Sequence, residues 1–166
     1  MTVITIPNSI YKILVEKARE NEMTVEEYLI EIITQNLDPT IKAEKYIECA
    51  LNLLEQARME LDKGDVRQAS EKIWGAVALA VKSYALEREG KKLTSHRELW
   101  KYKDVIARDI GEWIRDSWMH AASMHVNFYE GWATRRDVEI ALNKTEKLVS
   151  AIAERLSKFK LGAHKH

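Results

Sequence analysis

Cysteine is almost absent from this sequence, and the single residue, Cys49, excludes both a disulfide framework and a zinc site built from cysteines. Only six glycines and two prolines occur among 166 residues, so few positions break a helix. No apolar run approaches the roughly 18 residues that cross a bilayer, and the N-terminus lacks the pattern of a signal peptide. The sequence therefore predicts a cytoplasmic protein with no membrane partner.

An excess of charge is also lacking, because 26 Lys and Arg residues balance 26 Asp and Glu residues. This balance excludes a generally basic protein that coats nucleic acid. The charge is nevertheless uneven, with a net charge of −4 over residues 1–38 and of +4 over residues 39–166. The acidic first part would repel a phosphate backbone, so DNA is not an expected partner and any contact with RNA must be local.

What the chain does contain is apolar residues that recur at helical spacing. They predict an all-α fold, with an antiparallel bundle of four to five helices over residues 39–160 and a frayed tail at 161–166. A short turn at Gly64 joins helices predicted at 40–63 and 66–88, which should form an antiparallel hairpin. The last helix is predicted to run from Arg135 to about Lys158. Capping pairs mark three helix starts, Thr24 with Glu27, Ser95 with Glu98 and Thr134 with Asp137.

Residues 1–38 form a separate pattern. The β-branched run at residues 2–6 predicts a short strand that ends at Pro7, and two short amphipathic helices follow it. This order resembles the ribbon-helix-helix family over residues 2–37, and the resemblance implies that two chains pair their strands. The outward strand face, Val3 and Thr5, carries no basic residue, which favours dimerisation over a DNA-binding regulator. The alternative is that this segment packs on the rest of its own chain.

A short segment near the middle of the bundle carries the candidate chemistry. Arg115, Asp116 and His120 lie in one six-residue segment of a predicted helix that is rich in aromatic side chains. An arginine, a following polar residue and a histidine at this spacing resemble the hallmark of the HEPN domain, with Asp in place of the commoner Asn. More narrowly, about residues 41–158 resemble the archaeal PaREP family. The resemblance implies a metal-independent endoribonuclease whose site is shared across a homodimer, or an inactive relative that binds nucleotides or only assembles.

In such a reaction His120 is the candidate base for the ribose 2′-hydroxyl, because imidazole titrates near neutral pH. Arg115 is the candidate phosphate ligand, and Asp116 would orient His120 from the preceding helical turn. Arg115 lies about 140° around an ideal helix from His120, which suggests that the two act together across a subunit interface. The alternative is that Arg115 and Asp116 are solvated charges and that His120 is a structural histidine.

Weaker signals surround this segment. Trp118 is a candidate for stacking on RNA bases, and Arg135 and Arg136, with Lys144 and Lys147, are candidates for a basic rim. Core packing is the favoured explanation of Trp118, and a solvated helix face is the ordinary explanation of the basic residues. His125 follows His120 by five residues, which is not the spacing of a helical metal site. We therefore predict no metal and no cofactor. The HEPN resemblance leaves an antitoxin, as part of a toxin–antitoxin pair, as a candidate partner.

Overall fold

A computed structural model describes residues 3–163, with side chains described for residues 3–159, and all regular structure in that range is helical. The helices are α1 (Asn8–Glu20), α2 (Val25–Ile33), α3 (Pro39–Asp62), α4 (Val66–Glu89), α5 (His96–Ile110), α6 (Trp113–Glu130) and α7 (Arg135–Ala163). The predicted all-α class and helical bundle are confirmed, with α3 to α7 forming the bundle. Helix α7 continues beyond its predicted end near Lys158, and residues 164–166 of the predicted tail lie outside the described residues.

The predicted strand at residues 2–6 is wrong. Residues 3–7 are neither strand nor helix, and Thr2 lies outside the described residues. Val3 is 91% exposed and Ile4 is 81% exposed, so neither side chain has packed against the bundle. A strand needs a second strand for its backbone hydrogen bonds, and residues 3–163 contain none. The strand-based resemblance to ribbon-helix-helix proteins therefore has no support in this structure.

Helix α4 is the centre of the bundle. Its residues are buried without interruption from Ile73 to Leu86, and α3, α5, α6 and α7 all pack against it. A helix that is buried on every side needs small residues where its neighbours come close, and α4 supplies Gly75, Ala76, Ala78 and Ala80. The predicted hairpin of α3 and α4 is present, and Gly64 in its turn has the left-handed φ of +86° that favours glycine.

The predicted capping pairs are confirmed at three helix starts. In each pair, the backbone N–H of the acidic residue donates to the hydroxyl of the first residue, while the carboxylate accepts from the backbone in return. The pairs are Thr24 with Glu27 at α2, Ser95 with Glu98 at α5, and Thr134 with Asp137 at α7. These local hydrogen bonds define where α2, α5 and α7 begin.

Acidic side chains attach helix α2 to the bundle. The ion pairs join Glu26 to Lys72, Glu27 to Lys82, and Glu31 to both Lys42 and Lys92. The pair between Glu27 and Lys82 is the most buried, at 2.9 Å with side chains 1% and 3% exposed. Because a buried charge is tolerated only with a partner, this pair fixes the position of α2 on α4.

Glu31 extends this attachment to α3. Burial by itself raises the pKa of the Glu31 carboxyl, but hydrogen bonds from Lys92, Tyr46 and Lys42 lower it to about 2. The Glu31 carboxyl is therefore ionised at any pH at which the protein is expected to work. The acidic face of α2 is in this way matched by bundle residues from α3, α4 and the loop before α5.

A close approach at Gly75 completes the docking of α2. A Cβ added at Gly75 would lie 3.3 Å from Thr24 Oγ1 and 3.3 Å from Leu53 Cδ1. Both distances are tighter than ordinary van der Waals contact, so the absent side chain at Gly75 lets the start of α2 lie against α3 and α4.

Helix α1 is held far less firmly than α2. Ala18 is its one buried residue, and its main packing partner is α2. Ile10 is 47% exposed and Ile13 is 52% exposed, so the apolar face of α1 is left partly uncovered among the described residues.

Substitution of Lys82 by Met should reveal how strongly the bundle depends on the buried pair. Methionine keeps the apolar stem but leaves the Glu27 charge uncompensated, which costs about 3–5 kcal/mol in comparable buried pairs. We expect the free energy of unfolding, measured by urea denaturation, to fall by that order.

Lys17→Met is the matched control, because Lys17 pairs with Glu20 at 2.7 Å while both side chains are at least half exposed. Loss of such a surface pair costs at most about 1 kcal/mol. Addition of Glu27→Gln to Lys82→Met should recover part of the loss, because it removes the stranded charge. Equal effects of Lys82→Met and Lys17→Met would show that the buried pair has no special role.

Candidate functional site

Helix α6 presents the candidate residues on its outer side. Ile114, Trp118 and Ala121 recur at helical spacing and are buried against the core. Arg115 and His120 lie between them and remain accessible, with side chains 41% and 35% exposed. The burial of one face of α6 therefore places both candidate catalytic side chains within reach of solvent.

His120 is oriented by the helical turn that precedes it. Its Nδ1 atom lies 2.9 Å from the backbone oxygen of Asp116 and 3.7 Å from the Asp116 carboxylate. The backbone oxygen can only accept, so this contact favours a proton on Nδ1 and leaves Nε2 with a free lone pair in the neutral ring. An imidazole held in this tautomer is suited to remove a proton through Nε2.

Asp116 also contacts the neighbouring helix. Its carboxylate accepts a hydrogen bond from Lys144 of α7, and this contact is the main reason that the pKa of Asp116 is lowered from its usual value. Lys144 thus joins Asp116 and His120 in one accessible cluster. The sequence predicted Lys144 only as part of a basic rim on the last helix, and its contact with Asp116 was not apparent.

Arg115 lies against a different neighbour. Its guanidinium forms ion pairs with Asp104 of α5 and with Glu112, to which its Nε donates at 2.8 Å. No hydrogen bond or ion pair joins Arg115 to His120 within residues 3–159. Within one chain, therefore, the arginine is held on the α5 side of α6 and the histidine lies near α7.

Three of the weaker RNA-binding candidates, Trp118, Arg135 and Arg136, are not brought together with His120. Trp118 is 0% exposed and packs between Trp74 and Trp100, with ring centroids 5.5 and 5.6 Å away, so a base cannot reach it. Arg135 and Arg136 both pair with Glu139 in the first turns of α7. At a rise of about 1.5 Å per residue, this is more than 10 Å along the helix from Lys144.

A second group of rings lies deeper in the bundle. His125 packs on Trp74 at 5.0 Å and on His96 at 4.9 Å between ring centroids. Burial, and then the neighbouring His96, lower the pKa of His125 from 6.5 to about 4. His125 is therefore a neutral packing residue at pH 7. In the part of the chain that the structure describes, no group of three or more His, Cys, Asp or Glu residues is arranged to hold a metal ion.

Comparison with known proteins assigns the chain to a family. A sequence model of the archaeal PaREP1/PaREP8 family matches residues 45–149, so the chain belongs to that family. The match includes α6 with its candidate residues and leaves out α1 and α2. No curated protein and no solved structure matches this chain. None of the helices described is long and apolar enough to cross a membrane.

The state of His125 can be measured by a pH titration of the histidine ring signals in NMR spectra, assigned with a His125→Gln variant. We expect His125 to protonate near pH 4. Because its pKa is lowered on folding, His125 stabilises the fold above its ordinary pKa of 6.5, and this contribution is lost as the pH falls toward 4. A midpoint near 6.5 would show that the ring is not buried in the Trp74 and His96 cluster.

Proposed function

We propose that this protein is a metal-independent endoribonuclease of the HEPN type, with a site shared between two copies of the chain. The observation that carries the proposal is the position of His120, which is accessible to solvent and held through Nδ1 by the Asp116 backbone oxygen 2.9 Å away. A base that is oriented in advance in this way is what attack by a ribose 2′-hydroxyl requires.

In the proposed reaction His120 Nε2 accepts the proton of the 2′-hydroxyl, whose oxygen then forms a bond to the adjacent phosphorus. The bond from phosphorus to the 5′-oxygen breaks, that oxygen takes up a proton from water, and a 2′,3′-cyclic phosphate is left on the other fragment. Protonated His120 then returns its proton to the solvent. Arg115 binds the phosphate and stabilises the charge that develops on it. Asp116 and Lys144 hold the His120 side of the site in place.

In the proposed site, a second copy of the chain supplies the arginine, because Arg115 and His120 of one chain are held apart. Beyond the exposed Asp116, the outer face of α6 is apolar or small, with Met119 51% exposed and Val126 44% exposed around Ser123. A twofold axis that crosses α6 near Met119 would bring Arg115 of one copy toward His120 of the other. This geometry supports a homodimer formed through α6.

The N-terminal residues supply another apolar surface. Ile10, Ile13 and Ile33 are each between 47% and 74% exposed, although they belong to helices too short to be stable alone. We therefore retain the division into residues 1–38 and 39–160 as a proposal, in which the first part contributes to dimerisation without a paired strand.

A non-catalytic assembly or nucleotide-binding module of HEPN type is the second candidate. It is favoured by the two carboxylates, Asp104 and Glu112, that already neutralise Arg115. For catalysis, RNA has to compete with these ion pairs for the guanidinium. In an inactive relative the same pairs would simply hold α5 and α6 together.

Incubation of the purified protein with RNA in EDTA separates the two candidates. We expect cleavage by the wild type, and a loss of at least about 100-fold in His120→Ala, which is the usual contribution of a general base. Arg115→Ala should lose activity to a similar extent, whereas Arg108→Ala, at an exposed position on α5, should not. A dimer that cleaves no RNA would favour the second candidate.

Mixed dimers test whether the site is shared. When Arg115→Ala and His120→Ala chains are refolded together, a mixed dimer holds one composite site with both residues intact. With random pairing, about a quarter of the wild-type activity should return. If the two residues act within one chain, every site in the mixture is defective and no activity returns.

A further inference from the structure

A cleft of about 220 Å³ lies between the N-terminal helices and the bundle, away from Arg115 and His120. Aromatic residues line it from both sides, with Tyr11 from α1 and Phe128 and Tyr129 from α6. Glu26 of α2 and Glu71 of α4 add carboxyl groups to the same lining. Tyr11 and Tyr129 are each about half exposed, so their rings are accessible to a ligand.

Glu71 differs from Glu26 in having no partner of its own. The Glu26 carboxylate pairs with Lys72, whereas no hydrogen bond or ion pair of the Glu71 carboxyl is found among residues 3–159. Burial, and then the charge of Glu26, raise the pKa of Glu71 to about 7, against an opposing effect of Lys72. A carboxyl group that is partly buried and unpaired is costly to ionise, and a positive charge brought close to it would remove that cost.

We propose that this cleft binds a small organic ammonium ion, with Glu71 as its counter-ion and the rings of Tyr11 and Tyr129 against its alkyl groups. Aromatic faces attract cations, and combined with a carboxylate they recognise alkylated ammonium groups. The cleft is smaller than the roughly 300–1,000 Å³ that accommodates drug-sized ligands, which restricts the ligand to a few heavy atoms. The proposal is independent of any ribonuclease activity.

Arg19 adds a positive charge to the lining of this cleft. It lines the cleft from α1, and no ion pair of Arg19 is found in the described part of the chain. Its guanidinium would repel an ammonium ion in the cleft, because both carry a positive charge. Removal of Arg19 should therefore strengthen the binding of an ammonium ion.

Titration with choline and with n-butylammonium, followed by NMR shifts of the Tyr11 and Tyr129 rings, tests the proposal. Their neutral counterparts, 3,3-dimethyl-1-butanol and n-butanol, have nearly the same shape and no charge. We expect saturable binding of the two cations only. Glu71→Gln should weaken it about tenfold or more, the loss expected for a charge-assisted contact. Glu16→Gln, the same change at an exposed position on α1 outside the cleft, should leave it unchanged.

The pH dependence gives a second criterion. Glu71 must be ionised to act as a counter-ion, so affinity should rise as the pH passes through about 7 and then level off. The charged groups around it are Glu26, Lys72 and Arg19, and Glu71→Gln should abolish the rise if Glu71 is responsible.

Three results would overturn the proposal. The first is equal binding of the neutral alcohols, which would make the cleft merely apolar. The second is equal binding by Glu71→Gln and the wild type. The third is weaker binding of the two cations by Arg19→Ala, which would show that Arg19 supports the site and does not oppose it.

Discussion

The ion pair between Glu27 and Lys82 determines how the N-terminal helices are joined to the bundle. It lies at the interface of α2 with the central helix α4, where neither charge has access to water. Glu26 and Glu31 add ion pairs on either side of it. The uneven charge of the chain thus has an internal explanation, because acidic residues of the first 38 positions neutralise lysines of the bundle. The argument that these acidic residues would repel DNA leaves out their ion pairs with the bundle.

The helices could be predicted from the sequence because their signals are local. Thr24 and Glu27 are three residues apart, and the turn at Gly64 depends only on the sequence between two consecutive helices. Local signals could not show whether residues 2–6 form a strand. The β-branched residues were recognisable, but a strand depends on a partner whose presence no local pattern reports, and Val3 and Ile4 remain exposed without one.

The same distinction applies to the candidate site. The helical repeat alone suggests that Arg115 and His120 diverge, and their contacts lie on different sides of α6. The partners that hold them were beyond prediction, since Asp104 and Lys144 come from other helices and lie 11 and 28 positions away from Arg115 and Asp116. Trp118 is a different case, because the sequence allowed both core packing and stacking on bases, and its complete burial agrees with core packing.

The attachment of the N-terminal helices also orders the steps by which the protein opens. Helix α1 packs mainly on α2, and α2 is attached through ion pairs to a helix whose middle is entirely buried. Release of α1 breaks few contacts. Release of α2 leaves the buried charge of Lys82 without its partner, and opening of α4 unfolds the whole bundle. Amide hydrogens should therefore fall into three classes of protection, with α1 exchanging first and the middle of α4 last. The cleft between α1 and the bundle opens in the first of these steps, so a ligand bound there would slow exchange in the least protected helix.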